Sequence, residues 1–142
     1  MSTSALLVLD CSVAAKWILP EPGRVQALEI LEQQESGEIS LIAPDLMLAE
    51  FASLLAKRHR RKQISAEQAA EAFQLMEQCS PTIVETHSRL ARALHLSLQL
   101  NMSLWDCVYV SLAIEYGCPL LTADRRLFRA GASHQLSIQL LS

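Results

Sequence analysis

Aspartate is scarce in this chain of 142 residues: of 15 acidic side chains only four are Asp, namely Asp10, Asp45, Asp106 and Asp124. Glycine is equally scarce, and no two of Gly23, Gly37, Gly117 and Gly131 fall into a G-x-G-x-x-G, which excludes the glycine-rich cradle of a dinucleotide site. Cys11, Cys79, Cys107 and Cys118 form no C-x-x-C and have no histidine at ligand spacing. They read as small buried thiols, not as a zinc site or a disulfide framework. No apolar run approaches the ~20 residues that cross a bilayer. No basic segment precedes the short run Ala5 to Leu9, so no secretory leader is expected and the chain reads as cytoplasmic.

What is present is a chain that is 51% apolar and 19% charged, enough for a real core. Its length predicts one domain, residues 1–142. The net charge of -3 conceals a polarity: Lys57, Arg58, Arg60, Arg61 and Lys62 supply five of the twelve basic residues, and the rest of the chain is distinctly acidic. A run of this kind is either a solvated helix end or a binding stripe for phosphates.

Short apolar runs alternate with longer amphipathic ones. Strands are expected at Ala5 to Leu9, Ser40 to Ala43, Thr82 to Glu85, Pro119 to Thr122 and Leu136 to Leu140. Helices are expected between them, with Pro44 opening one, His87 to Leu100 forming another and Gly131 stopping the last. This order predicts an α/β fold with a mostly parallel sheet. In such sheets function gathers at the carboxyl ends of the strands, which directs attention to Asp10 and Asp124.

Taken singly, Asp10, Asp106 and Asp124 are explained first by capping, since helix N-termini select Asp. Asp45 belongs to the first turn of its helix. Glu50 resists that explanation, because Leu46, Met47 and Leu54 lie within about 60° of it on the helical wheel. Lys57 is its ordinary partner on the same helix. Asp106 is likewise set among Leu104, Trp105, Cys107 and Val108. Carboxylates beside apolar stripes are costly unless paired, and several in one fold call for a common cause. A divalent cation supplies it: Mg²⁺ or Mn²⁺ takes oxygen ligands, as an all-carboxylate site with no His or thiolate offers. The chemistry that follows is water attack on a phosphodiester.

The order Asp10-Cys11-Ser12, Pro44 to Glu50 as P-x(5)-E, Trp105-Asp106 opening an apolar helix, and Leu121-Thr122-Ala123-Asp124 after a strand resembles the PIN domain, and within it the VapC-type toxins of bacterial toxin–antitoxin pairs. The resemblance runs from the first strand to the helix after Asp124. It implies a three-layer α/β/α sandwich, Mg²⁺- or Mn²⁺-dependent endoribonuclease activity on RNA, a homodimer and a cognate antitoxin. It also implies that Asp10, Glu50, Asp106 and Asp124 are the metal-binding and catalytic carboxylates, with Ser12 and Thr122 as supporting hydroxyls. Some members carry a further acid after the last Asp. Here Arg125, Arg126 and Leu127 follow instead, so the site rests on four carboxylates and the arginines are candidate phosphate contacts beside Lys57 to Lys62.

Three other readings compete. Phosphoryl transfer through an aspartyl-phosphate on Asp10 lacks its second acid, since Ser12 stands where D-x-D chemistry needs one. The same fold also serves RNA-processing nucleases that are not toxins, and inactive interaction modules.

Overall fold

The run Ala5–Leu9 forms strand β1, and Val8 and Leu9 at its carboxyl end are fully buried. An unbroken apolar strand of this kind belongs at the centre of a sheet covered on both faces. The computed structural model describes residues 4–142; residues 1–3 of the expected 1–142 domain lie outside the described residues. From β1 the chain passes through α1 (Cys11–Ile18) and α2 (Arg24–Glu35) to β2 (Ile39–Pro44), then through α3 (Leu46–Arg60) and α4 (Ala66–Cys79) to β3 (Thr82–Val84). A 3₁₀ turn (His87–Arg89), α5 (Leu90–Leu100) and α6 (Leu104–Tyr116) lead to β4 (Leu120–Thr122), and α7 (Arg125–Ser133) leads to β5 (Ile138–Leu140).

The strands lie in the order β3-β2-β1-β4-β5, and every pairing is parallel. Parallel neighbours require crossovers, which are right-handed. Moving outward from β1 to β3 and then back across to β4 and β5 therefore places helices on both faces, in three layers. The packing agrees: α1 contacts α2, α3 and α4, whereas α5 packs on α6, and α6 reaches β1, β2 and β4. The strand order reverses at β1. Its carboxyl end beside that of β4 is the switch point at which such sheets form a crevice. Leu9 lies opposite Leu121, so Asp10 and Thr122 leave the sheet side by side.

Local signals account for most boundaries. Ser65 caps α4 with a reciprocal capping box to Gln68. The middle of α6, Cys107 to Ala113, is buried on all sides. Three expectations need correction. Pro44 ends β2 instead of opening a helix, and Asp45 starts α3 with its carboxylate accepting the Thr86 N–H at 3.0 Å. The stretch His87 to Leu100 is not one helix, because a 3₁₀ turn precedes α5. Gly131 does not stop α7. It lies buried inside it, where a Cβ would come within 2.2 Å of Ile138 Cδ1, so the glycine is there to let α7 lie against β5.

Candidate active site

Asp10 leaves β1 at the N-terminus of α1, yet its side chain caps nothing. Its Oδ2 instead accepts hydrogen bonds from Ser12 Oγ at 2.6 Å and Thr122 Oγ1 at 2.7 Å. Each hydroxyl is itself fixed by a backbone donor: Ala123 N–H to Ser12 at 2.9 Å, and Asp124 N–H to Thr122 at 3.0 Å. The start of α1 and the end of β4 are thus tied through one carboxylate oxygen, and among the described residues Oδ1 receives no hydrogen bond. Burial raises the Asp10 pKa above the ordinary carboxylate value; the two hydroxyls oppose this, and the charges of Asp106 and Asp124 add to it.

Glu50 stands beside the core face of α3 formed by Met47, Phe51 and Leu55. Its partner is Tyr109 on α6, whose hydroxyl donates to Glu50 Oε1 at 2.5 Å, and not Lys57. Burial raises the Glu50 pKa, the tyrosine hydrogen bond lowers it, and Asp10 and Asp106 raise it further. Asp106 lies in the first turn of α6, where Ser103 Oγ accepts its N–H at 3.1 Å while its own carboxylate turns to Arg126. Asp124 does cap α7, accepting from Arg126 N–H at 2.9 Å and Leu127 N–H at 3.3 Å, so capping and a role in the site coexist there.

All four carboxylates and Ser12 line one open pocket of about 430 Å³, together with Lys16, Glu21, Leu54 and Arg126. The supporting Thr122 is fully buried behind it. Tyr109, Lys16 and Glu21 escape a reading of the sequence. Tyr109 carries a faint signal, three residues after Asp106 and so on the same helical face. Lys16 carries one too, four residues after Ser12 on α1 and so on the same helical face, whereas Glu21 carries none, because only the α1–α2 connection brings it to the site.

The basic residues divide. Lys57, Arg58 and Arg61 line a neighbouring pocket of about 440 Å³ that shares Leu54 with the acidic one, whereas Arg60 and Lys62 are exposed outside both. Arg58 pairs with Glu21 at 2.7 Å, and Lys16 pairs with the same carboxylate at 3.3 Å. Arg125 lines a pocket on the opposite flank, which shares Lys16 and Ala123 with the acidic one. Arg126 stands within the acidic pocket, with Nη2 3.0 Å from Asp106 Oδ2 and 3.2 Å from Asp124 Oδ2.

The PIN domain profile matches residues 7–132 of this chain. The chain belongs to the PIN domain family. Its sequence is 31% identical over 123 residues to Ribonuclease VapC3 of Pyrobaculum aerophilum, covering 85% of this chain and 91% of that protein. The PIN fold is shared with VapBC2 from Rickettsia felis bound to a DNA fragment from its promoter, at a TM-score of 0.70 and 16% identity over 96% of this chain and 99% of that one. VapC20 of Mycobacterium tuberculosis, a Sarcin-Ricin loop cleaving toxin, superposes with a TM-score of 0.67 and 14% identity over 88% and 95% of the two chains.

PIN nucleases use divalent cations, and the donor set here fits one: four carboxylates share a pocket with no His, and the Cys11 thiol that also lines it is kept protonated by burial. Among the described residues no three acidic, His or Cys side chains form a group that could hold a metal ion as placed. Ser12, Thr122, Tyr109 and Arg126 each hold a carboxylate, and the Arg126 guanidinium satisfies two of them at once.

Proposed function

We propose that this chain is a Mg²⁺- or Mn²⁺-dependent endoribonuclease of the VapC type, the toxin of a toxin–antitoxin pair, built as one domain over residues 1–142. The observation that carries the reading is the convergence of Asp10, Glu50, Asp106 and Asp124 on one pocket at the sheet's switch point. The ribonuclease relative at 31% identity supports the reaction class. Asp10, Asp106 and Asp124 would hold the cation, with Glu50 completing the set. A cation bound there supplies Lewis acidity toward phosphodiester oxygens and makes water more acidic.

The chain's own residues do the rest. Ser12 and Thr122 hold Asp10 Oδ2, so the carboxylate keeps one orientation and presents its other oxygen. Tyr109 fixes Glu50, whose half-buried carboxylate is suited to orienting the attacking water and accepting its proton. Lys57, Arg58 and Arg61 on one flank, and Lys16 and Arg125 on the other, form a basic track for an RNA backbone on either side of an acidic centre that would repel it. No helix among the described residues is long and apolar enough to cross a membrane. Exposed Leu94, Leu98 and Trp105 on α5 and α6 offer apolar surface for the proposed homodimer or antitoxin.

The test is cleavage of structured RNA by wild type and Asp10→Asn, with Mg²⁺ or Mn²⁺ against EDTA. Wild type should cut only with the divalent ion, and Asp10→Asn not at all. Cleavage by Asp10→Asn at the wild-type rate, or undiminished cleavage in EDTA, would overturn the reading.

A further inference from the structure

Two cationic side chains line the acidic pocket, and they are held differently. Lys16 is drawn aside by Glu21. Arg126 is drawn inward, where one nitrogen, Nη2, lies 3.0 Å from Asp106 Oδ2 and 3.2 Å from Asp124 Oδ2. That nitrogen joins a carboxylate from α6 to one from the β4–α7 turn. Asp124 Oδ1 is already engaged by the N–H groups of Arg126 and Leu127 as the cap of α7, so the oxygen Arg126 occupies is the one the cap leaves over. The Arg126 side chain is 67% exposed. It can therefore withdraw into water without disturbing the core.

We propose that Arg126 is a built-in counter-ion that competes with the divalent cation for Asp106 and Asp124, and so sets the cation concentration at which the site loads. The inference rests on the reading above that these carboxylates hold a divalent ion. The guanidinium offsets the repulsion between Asp106 and Asp124. A cation held by Asp106 and Asp124 would share these two carboxylates with the guanidinium, and two positive charges brought to the same carboxylates repel. Loading thus requires Arg126 to leave, and each carboxylate exchanges one partner for the other.

Arg125 supplies the control. It carries the same charge one residue earlier, makes no ion pair among the described residues, and lines the neighbouring pocket. Mn²⁺ binding is measured by calorimetry, without RNA and at fixed ionic strength, for wild type, Arg126→Gln and Arg125→Gln. Arg126→Gln should bind Mn²⁺ more tightly by roughly fivefold, the scale of an exposed charge-assisted pair, and Arg125→Gln by less than about twofold. Against Asp106→Asn as its own reference, adding Arg126→Gln should tighten binding by less than it does in wild type. Equal tightening in both single variants would mark a general field effect and overturn the inference. Unchanged or weaker binding by Arg126→Gln, with wild type still binding, would overturn this inference alone. Failure of all three proteins to bind Mn²⁺ would overturn it together with the metal reading.

Discussion

At Asp10 a carboxylate is held against its own preference. Burial raises its pKa, and two neighbouring acids add to the cost of keeping it charged. Replacing it with Asn removes the charge while the Asn carbonyl oxygen can still accept from Ser12 and Thr122. Asp10→Asn should therefore raise the melting temperature in EDTA at neutral pH even as it abolishes cleavage. The sign of the pH dependence follows from linkage: a folded pKa above the unfolded one makes wild type gain stability relative to the variant as pH falls through that window. The advantage of Asn should accordingly shrink toward acid pH in thermal melts, and an advantage that grows there would contradict the account. The thiols give a second test. Cys11, Cys107 and Cys118 are buried and only Cys79 is partly accessible, and burial raises all four pKa values. Alkylation followed by mass spectrometry should label at most Cys79 quickly in the native protein, and all four thiols in denaturant.

Among the elements, α7 shows how a breaker residue becomes a packing device. Gly131 lies in the helix with Ile138 of β5 against it. Gly131→Val forces the Ile138 side chain away and should cost about 1–3 kcal/mol by overpacking, read as a lowered denaturant midpoint. A neutral result would show that α7 and β5 separate easily. Pro44 teaches the complementary lesson. A proline followed by an apolar run suits a helix start, yet Pro44 pairs in register with Val84 at the end of β2, and the Asp45 N–H bonds to the Val84 carbonyl at 2.9 Å. Sheet pairing outweighed local preference there. Capping, by contrast, was legible at Asp124, whose side chain acts within its own turn.

Across the whole molecule, charge is segregated around the acidic pocket. If RNA follows the basic track, removing Lys57 and Arg61 together should weaken binding to a cleavage-deficient Asp10→Asn protein across sequences. It should also reduce the slope of log affinity against log salt by roughly one per lost phosphate contact. Removing Arg60 and Lys62 should do less, since neither lines the pockets. Equal losses from the two pairs, measured by fluorescence anisotropy over a salt series, would mean that bulk charge steers RNA and not the track.

The α/β class and the parallel sheet were determined by sequence, and the four acids were legible there as candidates, because apolar runs bounded by helix signals and a carboxylate stranded beside an apolar stripe are properties of a few neighbouring residues. The family spacing carried Ser12 and Thr122 as well. Tertiary structure alone decided what each acid touches: Tyr109 on Glu50, the paired hydroxyls on Asp10, and Arg126 between Asp106 and Asp124. These partners come from elements far apart in the chain, and hydrogen bonds and charge interactions act through space. The scarcity of aspartate acquires its meaning there, where three of the four gather with Glu50 at one sheet edge.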